Sequence, residues 1–206
     1  ASDVYKRQIE EIVEPSGESV GVDWHGHRDR GLGLANTIAA IEAGATRVHG
    51  TALGIGERSG NTEMDMILVN LKLLGVHDAD LSVLPEYCEL VADACQIPLV
   101  HSYPVIGADA FRTATGVHAA AIVKAHEKGD EWLADRIYSA VPASMVGRKQ
   151  VIEIGPMSGL SNVKFWLRAN GYNPEDEELC ARIFQAAKKT DRTLTKGELE
   201  VLCKMG

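Results

Sequence analysis

No apolar run in the 206-residue sequence approaches the roughly 18 residues that a membrane-spanning helix needs, so no membrane partner is expected. No block of lysine and arginine occurs either, and the formal net charge is −8. A nucleic-acid partner is therefore not expected, because such binders usually show a basic face. The N-terminus lacks the apolar core of a secretory signal. Cysteine is sparse: residues 88, 95, 180 and 203 form no CxxC pair, and read as reduced thiols of a cytoplasmic protein. Cys88 and Cys95 lie seven apart on an expected helix, which would place both on one buried face. Low-complexity segments and long linkers are also missing. What the chain does have is 45% hydrophobic content, enough for a core.

The opening string ASDVYKRQ, residues 1–8, is set aside from the fold. Its DVYKRQ portion looks like one translated frame of a sequencing-library adapter, so an artefact of assembly and a cut N-terminus are expected.

Residues 17–75 read as one unit repeated. The β-rich run SVGVDWHGH (19–27) leads through a polar turn to LGLANTIAAIEAGA (32–45), which is helical in period and stops at Gly44. A second strand, TRVHGTAL (46–53), leads through GIGERSGN (54–61) to the helix TEMDMILVNLKLLG (62–75). Thr62 and Asp65 are spaced for a capping box, and Gly75 for a stop. The pattern is βαβα, which implies parallel strands with helices packed against them. Two parallel strands leave unpaired edges. A (β/α)8 barrel takes roughly 250 residues, so about a quarter of one is expected here.

After Gly75 the pattern becomes mostly helical. Helices are expected over 81–97, 111–129 and 161–171, a short β-like run at 149–155, and two closing helices. The last is opened by a Thr195/Glu198 capping box. The expected organisation is 1–8 foreign, 9–80 barrel, and 81–206 helical subdomain.

On a strand, His25 and His27 point to one face, at the C-terminal end where barrel enzymes place their active sites. Two imidazoles there can bind a divalent ion, although surface or hydrogen-bonded histidines fit an isolated HxH as well. Asn61 falls at the next strand-to-helix corner, as a third ligand or as an N-cap. Gly54, Gly56 and Gly60 either form turns or let a bulky ligand approach the backbone. Glu57 and Arg58 are too polar for a core and face a charged substrate or solvent.

HGHRDRGLGLANTIAAIEAGATRVHGTALGIGERSGN closely resembles the last two βα units of the 2-isopropylmalate synthase and homocitrate synthase family. These are metal-dependent barrels that condense acetyl-CoA with a 2-oxo acid. The family pattern HxHND, then GTxNGxGERxGN, is matched at His25, His27, Asp29, Gly50, Thr51, Gly54, Gly56, Glu57, Arg58, Gly60 and Asn61. Farther on, VIGADAFRTATGVHAAAIVKA and RIYSAVPASMVGR resemble the family's helical appendage, matching His118 and Tyr138, so the likeness spans about 9–190.

The resemblance implies that His25, His27 and Asn61 are metal ligands for Zn, Mn or Mg. It implies that Gly54, Gly56, Arg58 and Gly60 lie along acetyl-CoA, with Glu57 near it. His118 and Tyr138 would reach the active site of a neighbouring subunit, hence a homodimer; from the residues alone they are equally a surface histidine and a core aromatic. Glu57, His118 and Tyr138 are the candidate catalytic groups. The expected activity is that of an acyltransferase, 2-isopropylmalate synthase of leucine biosynthesis, with homocitrate or citramalate synthase as the alternative. The loop 50–61 has no cysteine, which separates it from the lyase relatives. A metal store or sensor would explain neither the glycine loop nor the appendage.

Arg28 stands where the family usually has Asn, and Leu53 where Asn often precedes the glycine. The family's D-x-x-R-E motif, which supplies a further Asp ligand and an Arg, does not occur. The isolated chain is therefore expected to be inactive, or a non-catalytic binding module if no upstream barrel exists.

Overall fold

A computed structural model describes residues 21–205 together with Arg7, Glu11, Pro15 and Gly17. Apart from Arg7, the string set aside at 1–8 lies outside the described residues, as do positions 19 and 20 of the first expected strand. The chain divides into two compact units, 1–99 and 100–206.

In the first unit the expected βαβα order is present, with shorter strands. Strand β1 (Asp23–His25) pairs in parallel with β2 (Arg47–His49), in the register Asp23↔Arg47, Trp24↔Val48, His25↔His49. Helix α1 (Gly33–Glu42) connects them, and α2 (Met64–Leu73) follows a 3-10 turn at Ala52–Gly54. Helix α3 (Leu84–Ala94) belongs to the same unit and packs on that turn.

Alternation along β1 explains which side is covered. Trp24 points toward α1, where its indole donates to Thr37 Oγ1 at 3.2 Å. Thr37 in turn lies 3.0 Å from Thr62 Oγ1, and the Thr62 hydroxyl donates to Gly26 O at 3.4 Å. Both threonines are fully buried. Asp23, His25, Arg47 and His49 occupy the opposite, exposed face, where Arg47 Nη1 donates to Asp23 at 3.1 Å.

The expected Thr62/Asp65 capping box does not form. The residue at the N-cap of α2 is Glu63, and no side chain caps it. Thr62 is engaged by Thr37, and the buried Asp65 carboxylate accepts the Leu53 N–H at 2.8 Å. A buried backbone donor with no other acceptor outcompetes the local cap. The shared face expected for Cys88 and Cys95 also fails. Helix α3 ends at Ala94, so Cys88 is fully buried whereas Cys95 is exposed. Burial pushes the Cys88 thiol up to about 12. All four cysteines are free.

The second unit is mostly helical, as expected. Strands β3 (Arg112–Thr113) and β4 (Val151–Ile152) form a short parallel pair. Helices α4 (Gly116–Glu127), α5 (Glu131–Ala134), α6 (Leu160–Ala169), α7 (Glu177–Lys188) and α8 (Lys196–Lys204) make up most of the rest, with α6 packed on β4. Ile154, Val163, Leu167, Leu179, Ile183, Ala187 and Leu199 form the larger core. Each large aliphatic side chain buried there contributes about 1.5–3 kcal/mol over its exposed state.

Two buried polar residues knit the turn before α6. Ser158 Oγ donates to Ala114 O at 2.7 Å, and Asn162 Nδ2 donates to Glu153 O at 2.8 Å. The capping box at α8 is present: Thr195 Oγ1 accepts from the Glu198 N–H at 3.3 Å, and Glu198 accepts from Thr195 N at 2.8 Å. No helix among the described residues is long and apolar enough to cross a membrane.

Candidate functional site

Strand β1 ends at His25, but the chain does not leave the second βα unit there. Residues 26–28 run antiparallel to 60–62: Thr62 N donates to Gly26 O at 3.2 Å and Arg28 N donates to Gly60 O at 3.1 Å. His27 and Asn61 are the bridge partners between those bonds. The two thus sit opposite one another although they stand 34 positions apart, at 27 and 61.

His27 Nδ1 and Asn61 Oδ1 are both buried, and neither has a hydrogen-bond partner. Leaving such an atom unpaired costs about 1–3 kcal/mol. The Asn61 amide nitrogen does have one, donating to Ile55 O at 3.4 Å, which leaves the carbonyl oxygen unengaged. A carbonyl oxygen and an imidazole nitrogen are lone-pair donors, and one divalent cation would satisfy both. The His25 ring lies 5.2 Å from that of His27, edge to face, and is exposed.

The residues therefore fit a metal through an N/N/O donor set. Among the described residues no three His, Cys, Asp or Glu side chains converge on one point, so a site here would need the Asn61 oxygen beside the histidines.

The glycine loop is shaped around Asn61 and around itself. A Cβ on Gly56 would come within 2.6 Å of Asn61 Nδ2. One on Gly60, whose φ is +101°, would meet Gly54 O at 2.0 Å. A Cβ on Gly54 would strike the Arg28 guanidinium at 2.8 Å. Each of these three glycines has a reason in the loop's own packing.

Arg58 donates to Asp29 through Nε at 2.8 Å and Nη2 at 3.3 Å, tying the loop to the turn after β1. That guanidinium holds the Asp29 carboxyl below its usual range, chiefly by hydrogen bonding. Glu57 points outward, its side chain 84% exposed and its carboxylate 3.8 Å from Arg58 Nη1.

His118 and Tyr138 lie together in the second unit, with rings stacked at 4.3 Å between centroids. Both are exposed. One member of the first cluster was not expected. The in-register partner of His25 is His49, whose ring is 5.5 Å away and whose Nε2 is 3.5 Å from Asp23 Oδ2. Its signal was the matching offset of the two histidines in the two strands.

The HMGL-like family model matches residues 2–91. Over the greater part of its length the chain is similar to three synthases. A homocitrate synthase of Methanosarcina acetivorans is 34% identical over 94% of this chain and 46% of its own length. An (R)-citramalate synthase of Aquifex aeolicus is 31% identical over 88% of this chain and 34% of its own. A probable 2-isopropylmalate synthase of Archaeoglobus fulgidus is 33% identical over 82% of this chain and 33% of its own. The chain thus spans half or less of the relatives it matches.

Proposed function

The chain belongs to the HMGL-like family, in the branch of acetyl-CoA:2-oxo acid condensing enzymes, and from that premise we propose that it carries the metal-binding end of a Claisen-type acyltransferase. Its elements 21–75 are then the last two βα units of a (β/α)8 barrel, and the helices after them the appended subdomain. The observation that carries the reading is that His27 Nδ1 and Asn61 Oδ1, both buried and without a hydrogen-bond partner, belong to residues paired across one bridge.

His25, His27 and Asn61 would hold a divalent ion, Zn, Mn or Mg. When bound, it supplies Lewis acidity toward the keto oxygen of a 2-oxo acid. The chain's own residues do the rest. Arg58, anchored on Asp29, fixes the 54–61 loop along which acetyl-CoA lies. A base takes a proton from the acetyl methyl group, and the resulting carbanion forms the new C–C bond at the keto carbon. The alkoxide is protonated, and water then cleaves the thioester to release CoA. Glu57, His118 and Tyr138 are the groups available for those proton transfers. The last two act across a homodimer in this reading, and the reading is of a cytoplasmic enzyme.

We take 2-oxoisovalerate as the acceptor, which makes the product 2-isopropylmalate, of leucine biosynthesis. The homocitrate and citramalate synthases among the relatives support a second reading with the same site and a different oxo acid. Release of free CoA thiol by the whole protein with 2-oxoisovalerate, 2-oxoglutarate or pyruvate separates the two. No release with any of the three, with or without added Zn²⁺, Mn²⁺ or Mg²⁺, would leave only a binding module.

A further inference from the structure

Arg28 departs from the pattern of the family, and its contacts surround one residue. Its Nε donates to Ser59 O at 2.7 Å, and its Nη1 pairs with the Glu63 carboxylate. Ser59 and Glu63 stand two positions before and two after Asn61. Its backbone N–H donates to Gly60 O at 3.1 Å, immediately beside the His27–Asn61 bridge.

The slot for the side chain is built by glycine. A Cβ on Gly54 would come within 2.8 Å of the guanidinium, and one on Gly60 within 3.1 Å of Nε. A Cβ on Gly33 would come within 3.0 Å of the Arg28 Cβ. Side chains at any of the three would crowd the arginine.

We propose that Arg28 is the positioning residue of the metal centre, a clamp that grips both sides of Asn61 and holds the Asn61 oxygen and the His27 nitrogen at one point. The proposal rests on the metal reading above. The guanidinium serves the carbonyl and the carboxylate through two separate nitrogens held in one plane, Nε and Nη1; a lysine keeps the charge but must reach both acceptors from a single nitrogen. An asparagine, the usual family residue, has no charge for Glu63 to pair with. Arg28 thus makes the ligand carbonyl's position depend on an ion pair outside the ligand set, as supporting partners of metal ligands do.

The test is calorimetric titration of the metal-free full chain with Zn²⁺ and Mn²⁺, alongside backbone hydrogen exchange over 54–63. It uses the unmodified protein and the variants R28Q, R28K and E63Q. R28Q is expected to weaken metal binding by about 10- to 100-fold and to speed exchange at the Gly60 and Asn61 amides. R28K and E63Q should fall between, and they carry the test if R28Q fails to fold. Metal binding by the variants equal to that of the unmodified chain overturns the proposal. Faster loop exchange with unchanged metal affinity overturns it too, because Arg28 would then support the loop without placing the ligand. If the unmodified chain itself takes up neither ion, the metal reading fails and this role with it. That outcome is distinct from binding by every variant alike.

Discussion

The imidazole of His118 and the phenol of Tyr138 stack 4.3 Å apart with their planes 30° from parallel, on a surface where neither is buried. An exposed stacked pair has little packing role. In the whole protein, Tyr138→Phe keeps the stack and removes the hydroxyl. It is expected to lower turnover about 100-fold or more while changing stability by less than about 0.5 kcal/mol. Steady-state kinetics beside a thermal melt reads both; unaltered CoA release removes Tyr138 from the catalytic set.

The unpartnered atoms of His27 and Asn61 predict a stability response to metal. A divalent ion present at 100 times its dissociation constant should stabilise the chain by about 2.7 kcal/mol. Asn61→Ala deletes one donor and should abolish most of that gain, with little change in the metal-free state, where relief of the unpaired oxygen offsets loss of the 3.4 Å bond to Ile55 O. Melting curves with and without Zn²⁺ decide it. An identical metal response in the variant would exclude Asn61 from the ligand set.

Leu53 is 7% exposed and adopts φ 56°, ψ 12°, a left-handed conformation at the position where the family often has Asn. That backbone costs a branched L-residue about 1–2 kcal/mol. Leu53→Ala loses the packing and keeps the strain, whereas Leu53→Gly loses the packing and relieves it. The glycine variant should therefore be the more stable of the two by about 1 kcal/mol, measured from urea midpoints. Alanine the more stable would show that the turn carries no strain.

Hydrogen bonds from Arg192 and Thr195 hold the Glu198 carboxyl at about 2, below its ordinary 4.5. A depressed carboxylate stabilises fully above its unfolded value and loses that effect as pH falls toward its folded one. The contribution to the start of α8 should thus be intact above about 4.5 and fade toward about 2. Glu198→Gln should flatten that part of an acid titration followed by the side-chain NMR shifts of 192–198. A Glu198 shift titrating near 4.5 in the unmodified chain would refute the pairing.

The features legible in the sequence are those set by short spacing. The Thr195/Glu198 box forms because both partners sit within one helical turn. The βαβα order follows from a change of hydrophobic period. His25 and His27 were recognisable as a pair because a single residue separates them on an extended segment. Long-range pairing hid the rest. The Thr62/Asp65 box gave way to contacts with Thr37 and Leu53, which no window around position 62 contains. The His25–His49 neighbourhood requires strand register, and the Arg28–Glu63 pair requires the loop to fold back. The placement of Asn61 opposite His27 was suggested by resemblance and has its geometric basis in the 26–28/60–62 bridge.

The row of polar groups beneath the histidines has a direction. An indole can only donate, so Thr37 Oγ1 accepts from Trp24; with the single proton of Thr62 Oγ1 on Gly26 O, the proton between the two threonines is that of Thr37. Polarity therefore runs one way, from Trp24 through Thr37 and Thr62, and terminates on the peptide carbonyl that lies between His25 and His27. Such chains polarise cumulatively. A methyl in place of the Thr37 hydroxyl, on the far side of the sheet, would thus be felt electrically at the peptide joining the two imidazoles.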